Sequence, residues 1–434
     1  MRAAAAAAAL VLLLPGPAAG QTEVLHLAVG DPERREREVP LVLDAVTDAR
    51  TGELLTPAEL ASRLAGARLV LLGESHTSAE LHRAQLRLIE ELVRSGRPVL
   101  VGLEMYPYTA QEHLDRWVAG LLTEEGFVAL SHWYEAWGYH WDYYRDVFLL
   151  ARDHGLPMVA VNAPREVVSE VRKKGLEGLS DEDRGHVPET VDLESDDHRT
   201  LFRAFFAGDE GLHAEMPEEQ LEAMFAAQVT WDATMAHNAL RALAERGEED
   251  AVLVVLVGSG HVAYGLGIAR QAAAMGFAGR VASVIPIPVE DEHGLSVEAV
   301  RASYADFVWG LPPEDDPLYP ALGHSATAVS DDDPRRRVIH VPEDSIAARA
   351  GFQVGDVLLA MDGEPLPDRE AFNRRMAGKR WGDRAAFTVE RAGTTVELTA
   401  LLRRERAEQP EAGPAPAPGH PDPPAHPPAT GPEG

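Results

Sequence analysis

The chain has 434 residues, 45% of them hydrophobic, with 70 acidic against 40 basic side chains and a formal net charge of −30. That length suits two or three domains, and the acidity excludes nucleic acid and anionic lipid as partners, because phosphate binding needs clustered Lys and Arg. There is no cysteine, which excludes disulfides, thiolate ligands and a lipid-modified cysteine anchor.

Residues 1–20, MRAAAAAAALVLLLPGPAAG, read as a cleavable secretory signal. Arg2 gives the positive end, residues 3–14 the apolar segment, and Ala18-Ala19-Gly20 a small-residue cleavage site. The apolar run is too short to span a bilayer, so the expectation is a secreted or periplasmic protein. No later segment reads as a membrane span. From about residue 66, short Val/Leu/Ile runs alternate with longer amphipathic stretches, which predicts an α/β fold with a mainly parallel sheet and flanking helices. The predicted strands are 68–72, 99–103, 158–161, 252–257 and 281–285, each apolar enough to be covered on both faces. Residues 21–310 form this domain, and within it about 165–248 shows helical periodicity only, a helical insertion. The stretch 131–155, SHWYEAWGYHWDYYRDVFLLARDHG, is unusually aromatic. Residues 311–321 read as a Pro- and acid-containing linker, 322–404 as a small unit of short strands and one helix, and 405–434 as a Pro-rich disordered tail.

In a parallel sheet, ligands bind beyond the carboxyl ends of the strands. Those ends carry Glu74 and His76, then Glu104, then Asn162, then His261. Thr77 to Glu80 resembles a capping box opening the next helix, on which His82 shares a face with Leu86, Ile89 and Val93 and so points to the sheet. Any one of these residues alone reads as a solvated loop residue or a helix cap. Together they read as one polar pocket. Two carboxylates about 4 Å apart repel by roughly 4 kcal/mol at an effective dielectric of about 20, and neighbouring imidazoles or a cation relieve that. Glu74, His76, Glu104 and His261 are therefore candidates for acid/base catalysis or for a divalent metal. Gln228 and Asp232, four apart on a helix, could add to the pocket or lie on a partly exposed helix face.

The blocks GESHTSAELH, VLVGLEMY, HGLPMVAVNAPRE, AAQVTWDATMAHNAL and VLVGSGHVAYGLGIA resemble, in order, those of the ChaN-like iron-regulated haem-binding family of the Tiki/erythromycin-esterase superfamily. The resemblance spans about 65–290. It implies an α/β domain with a smaller helical part, periplasmic haem or iron handling, and a homodimer sandwiching the cofactor. It also implies haem ligation by a tyrosine with His assisting. The aromatic stretch offers Tyr134, Tyr139, Tyr143 and Tyr144, with His132 and His140, and His82 joins Tyr134, Tyr139, His140 and Tyr143 as a cofactor-binding candidate. The same aromatics equally suit packing of the helical part. Family members are often lipoproteins; a chain without cysteine departs from that.

The segment VIHVPEDSIAARAGFQVGDVLLAMDGEPL, with Gly351, Gly355, Asp356 and Gly363, followed by the hairpin VERAGTTVEL, resembles a bacterial-type PDZ domain. Such domains take a peptide or protein C-terminus as an added strand, and Leu322, Gly323 and His324 stand where the carboxylate-binding loop falls. Three functions follow: a haem- or iron-binding protein with a docking module; a metal-dependent or acid/base hydrolase using the Glu/His pocket; and a scaffold in which the PDZ-like unit is the working part. No Gly-x-Ser-x-Gly elbow or His-Glu-x-x-His helix is present, which disfavours a serine hydrolase or a zincin.

Overall fold

The computed structural model describes residues 21–207, 217–291, 294–313, 317–330 and 332–404, so the signal at 1–20 and the tail at 405–434 lie outside the described residues. Ten strands precede the linker: β1 (Glu38–Pro40), β2 (Val46–Asp48), β3 (Leu54–Leu55), β4 (Ala67–Glu74), β5 (Val99–Pro107), β6 (Met158–Asn162), β7 (Val252–Gly258), β8 (Arg280–Pro288), β9 (Ala299–Arg301) and β10 (Phe307–Leu311). Eight of them form one sheet in the order β3-β2-β10-β8-β4-β7-β5-β6. From β10 to β6 every pairing is parallel, while β2 and β3 join antiparallel at one end. All five strands expected from the apolar runs are present. β4 and β7 are buried along nearly their whole length, as helices on both faces require.

One face of the sheet is covered by the helix Ala79–Arg94 and the aromatic segment, where Trp117, Phe127, Trp133, Trp141 and Phe148 interlock. The other face is covered by the 29-residue helix Glu218–Arg246. The helix Ala79–Arg94 is amphipathic and buries His82, Gln85, Leu88, Ile89 and Leu92. Its cap is Ser78 rather than Thr77: the Ser78 hydroxyl accepts from the Leu81 N–H at 3.2 Å, while Glu80 pairs with Arg83. No capping box forms. Ser78→Ala should lower stability by about 1 kcal/mol, measurable as a shift in urea midpoint at unchanged slope.

Beyond the linker lie β11 (Ser325–Ser330), β12 (Asp333–His340), β13 (Val357–Met361), β14 (Glu364–Pro365), β15 (Arg384–Arg391) and β16 (Thr394–Leu401). They make an antiparallel sheet in the order β11-β12-β13-β15-β16, with β14 on β13. The turn read from sequence is built as expected: Gly351 ends a short helix at φ 87°, a region glycine enters without strain. Buried Asp356 takes a two-pronged bond from Arg391, Nε to Oδ1 and Nη2 to Oδ2, each 2.7 Å. The helix Arg369–Ala377 packs on the helical turn Trp133–Ala136 of the large domain. Among the described residues no helix is long and apolar enough to cross a membrane.

Candidate functional site

β4, β7 and β5 are neighbours running in one direction, so Glu74, Glu104 and the residues after Gly258 arrive at one edge. There Glu74 is fully buried with every oxygen used. Its Oε1 accepts from His76 Nδ1 at 2.8 Å and from the Tyr144 hydroxyl at 2.7 Å, and its Oε2 from Gln85 Nε2 at 2.8 Å. Burial pushes the Glu74 carboxyl up, but the adjacent His82 and His76 outweigh it and hold it at about 2. Burial pushes His76 down; its bond to Glu74 and the charge of Glu104 win, and the ring is raised above its ordinary range.

The second cluster is Asp232–His261–Glu104. His261 Nδ1 lies 2.5 Å from Asp232 Oδ1, and Nε2 lies 3.5 Å from Glu104 Oε1. The Gln228 amide also reaches Nδ1 at 2.9 Å. Burial alone would depress His261, yet the two flanking carboxylates raise it to about 10. Glu104 is pushed up by burial and pulled further down by His261, with the Gly258 N–H donating to its Oε2 at 2.7 Å. At neutral pH His261 is thus an imidazolium ion between two carboxylates, and His76 is shifted in the same direction. His198 is 3.8 Å from Asp232 Oδ2, and burial pushes it down to about 4.

The two clusters touch at Gly258. A Cβ there would stand 3.3 Å from His76 Cε1 and 3.7 Å from Glu104 Oε2. Glycine at this position lets the imidazole and the carboxylate share one wall. Glu74, His76, Glu104 and His261 therefore do meet, and Gln228 and Asp232 join them. The expectation of a divalent metal finds no support: among the described residues no group of three or more His, Asp or Glu is placed to hold one. The acids are met by imidazoles instead, Glu74 by His76, and Asp232 and Glu104 by His261.

The structure separates the cofactor candidates. His82 spends both ring nitrogens inside the fold, Nδ1 on Gln85 at 3.0 Å and Nε2 on the His76 carbonyl at 3.3 Å. His140 does the same: Nε2 reaches the Ala377 carbonyl at 3.0 Å, Nδ1 accepts from the Asp142 N–H at 3.1 Å, and the ring stacks on Tyr319 at 3.4 Å. Tyr134 is buried with the Arg374 guanidinium 5.8 Å from its ring. Tyr143 is buried between His82 and Tyr319. Exposed His132 pairs with Glu370. Two tyrosines reach the edge itself: Tyr139, its ring centroid 4.9 Å from that of His76, and Tyr144, whose hydroxyl is held by Glu74. Trp137 meets the same imidazole edge-on at 4.6 Å, and Trp231 lies 5.4 Å from His261. Gln85 and Trp137 escape sequence reasoning; the three-residue spacing from His82 on one helix face is the only signal for Gln85.

In the small domain, Leu322 is buried and its carbonyl accepts from the Ala347 N–H at 2.8 Å; Gly323 sits at φ 73°. His324 stacks on Phe352 and meets Phe372 edge-on. Burial holds its ring down at about 4, hence neutral.

Residues 60–271 match the family described as haem-binding uptake, Tiki superfamily, ChaN, and residues 320–402 match the PDZ domain. A curated relative, Protein RETICULATA-RELATED 5, chloroplastic, of Arabidopsis thaliana, is 25% identical over 262 residues, 57% of this chain. The chain spans only 34% of that relative's own length. Among solved structures, one of cofacial heme binding to ChaN of Campylobacter jejuni is 19% identical, covering 62% of this chain and 98% of that one, at a TM-score of 0.48. The HtrA-type protease AlgW with decapeptide is 28% identical over 20% of this chain and 30% of its own, at a TM-score of 0.19. The buried Glu/His edge thus lies within the region that matches the ChaN-like haem-binding family of the Tiki superfamily, and the antiparallel sheet beyond the linker lies within the PDZ match.

Proposed function

We propose that this chain binds haem outside the cytoplasm, with Tyr139 as the iron ligand and His76 beside it, and docks a peptide through its PDZ domain. The observation that carries the reading is the orientation of His76. Glu74 takes up its Nδ1, which leaves Nε2 to meet a ligand, and the rings of Trp137 and Tyr139 lie against it. A porphyrin suits such rings, and tyrosinate is an established haem-iron ligand.

Burial raises the Tyr139 phenol well above its ordinary range, so the unloaded side chain is neutral. Bound ferric haem supplies the positive charge that makes a phenolate the stable form. His76, whose pKa Glu74 raises, would then donate to the phenolate oxygen rather than act as a second ligand. His82 and Gln85 hold the loop and carboxylate that aim His76. Hemin titration of the purified protein tests this: a saturable Soret shift, altered in Tyr139→Phe, is expected. Export follows from the signal-like residues 1–20, and the PDZ domain would seat a terminal carboxylate at the amides of Leu322, Gly323 and His324.

The proximity of His76 and Glu104 across Gly258 favours a second reading, an acid/base hydrolase. A panel of p-nitrophenyl esters and peptides decides it. Background turnover, equal in wild type and His76→Ala, is expected for a haem binder; turnover lost in His76→Ala would establish the hydrolase.

A further inference from the structure

The PDZ domain touches the haem domain at the segment that covers His76. Arg369 donates to the carbonyls of Glu135 and Trp137, and Asn373 Nδ2 donates to the Tyr134 carbonyl at 2.8 Å. Arg165, from the haem domain, donates to the Ala136 carbonyl at 2.6 Å. Gly138, at φ 89°, passes so close that a Cβ would stand 2.8 Å from both Arg369 Nη2 and Asn373 Nδ2. The residues over His76, Trp137 and Tyr139, are therefore clamped from the PDZ side.

The same arginine borders a cleft of about 240 Å³ lined by Glu135, Ala328, Pro334, Arg336, Asp368, Arg369 and Glu370. One wall is β11, which pairs with β12 alone among the described strands. The Val338 N–H donates to Asp356 across the sheet, so its partner Ala326 turns its backbone groups outward, where Arg336 caps the Ala326 carbonyl. Two of the lining carboxylates are engaged: Asp368 caps its helix at the Ala371 N–H, and Glu370 pairs with His132 and Arg374. Glu135 is exposed, belongs to none of the described ion pairs, and lies within the field of Arg165, Arg336 and Arg369. Arg336 and Arg369 thus share the cleft with one carboxylate that forms none of the described ion pairs. Burial and the neighbouring Arg165 lower the affinity of Arg369 for its proton to about 9, as crowded cations do.

Resting on the haem reading for what the covered site holds, we propose that this groove takes an extended peptide with an acidic side chain, which Arg336 and Arg369 bind beside the unpaired Glu135, and that its arrival frees Trp137–Tyr139 from His76. The peptide adds to β11, a mode open to an unpaired edge. A carboxylate is the ligand chemistry because a fork of guanidinium donors matches it two-pronged. Occupancy withdraws Arg369 from the carbonyls of Glu135 and Trp137, and the clamp on Tyr139 loosens.

The test uses the described protein with a synthetic array of decapeptides bearing free carboxyl termini. The best binder is then compared with its twin in which Asp or Glu is replaced by Asn or Gln. Binders are expected to share an acidic residue at one fixed position, and the amide twin to bind about tenfold more weakly, the worth of a charge-assisted bond. Glu135→Gln, at an exposed position, should tighten the acidic peptide about threefold, and Arg336→Gln should erase the preference for the acid. Amide hydrogen exchange at 137–139 should quicken on peptide binding. Equal binding of the acidic peptide and its twin, an unchanged ratio in Glu135→Gln, or unaltered exchange at 137–139 would overturn the proposal. Hemin affinity in the same samples separates the two readings: intact hemin binding alongside those results refutes the coupling alone. Absent hemin binding alongside quickened exchange supports the coupling and refutes haem.

Discussion

Replacing His261 with Gln should lower stability by about 3–5 kcal/mol at pH 6, because it leaves Asp232 and Glu104 buried without their shared cation. His261 is raised in the fold to about 10 from an ordinary value near 6.5. A raised group stabilises fully below its unfolded pKa and loses that contribution as pH climbs through the folded one. Wild-type stability should therefore fall from about pH 6.5 towards pH 10 with a component of about 1.4 kcal/mol per pH unit, and His261→Gln should remove that component. Glu74 runs the other way. Lowered to about 2, it stabilises above its unfolded value and loses the contribution as pH falls towards 2. Urea melts of both proteins between pH 5 and 9 check the claim; parallel curves would refute it.

The second large effect concerns the loaded protein. Glu74→Gln keeps the shape of the side chain but removes the charge that orients His76 and raises its pKa. Outer partners of this kind change metal-site affinity about 10–100-fold when lost, so hemin affinity should drop by that range. His76→Ala should do at least as much. A stability loss alone does not mimic this, since excess hemin would then restore full binding in the variant at saturating concentration with an unchanged spectrum. Competition with a hemin acceptor of known affinity gives the ratio. Equal affinity for wild type and Glu74→Gln would remove His76 from the site.

Much of this architecture is legible in the sequence because parallel strands announce themselves. β4 and β7 are uninterrupted apolar runs, and the rule that a parallel sheet collects its strand ends at one edge places Glu74, Glu104 and His261 together before any coordinates. Asp232 is visible only as a companion of Gln228 four residues earlier, and its buried pairing with His261 depends on how the long helix lies across the sheet. The strands β1, β2, β3 and β9 are two or three residues long, too short to carry a period. Trp137 and Tyr139 flank Gly138 in an irregular segment, where neither helical nor strand periodicity says which way a ring points. His82 shows its buried face by its spacing with Ile89, but not its task, which is to hold a carbonyl and an amide. The Gly351–Asp356 turn is a local pattern and could be read directly. Its partner Arg391 stands 35 residues on and could not.

The side-by-side absorption and electron paramagnetic resonance spectra of hemin-loaded wild type and Tyr139→Phe are the most direct measurement. A phenolate-to-iron charge-transfer band with a high-spin ferric signal in wild type, both lost or altered in Tyr139→Phe, is expected. Identical spectra and identical hemin affinity in the two proteins would contradict iron ligation at this edge of the sheet.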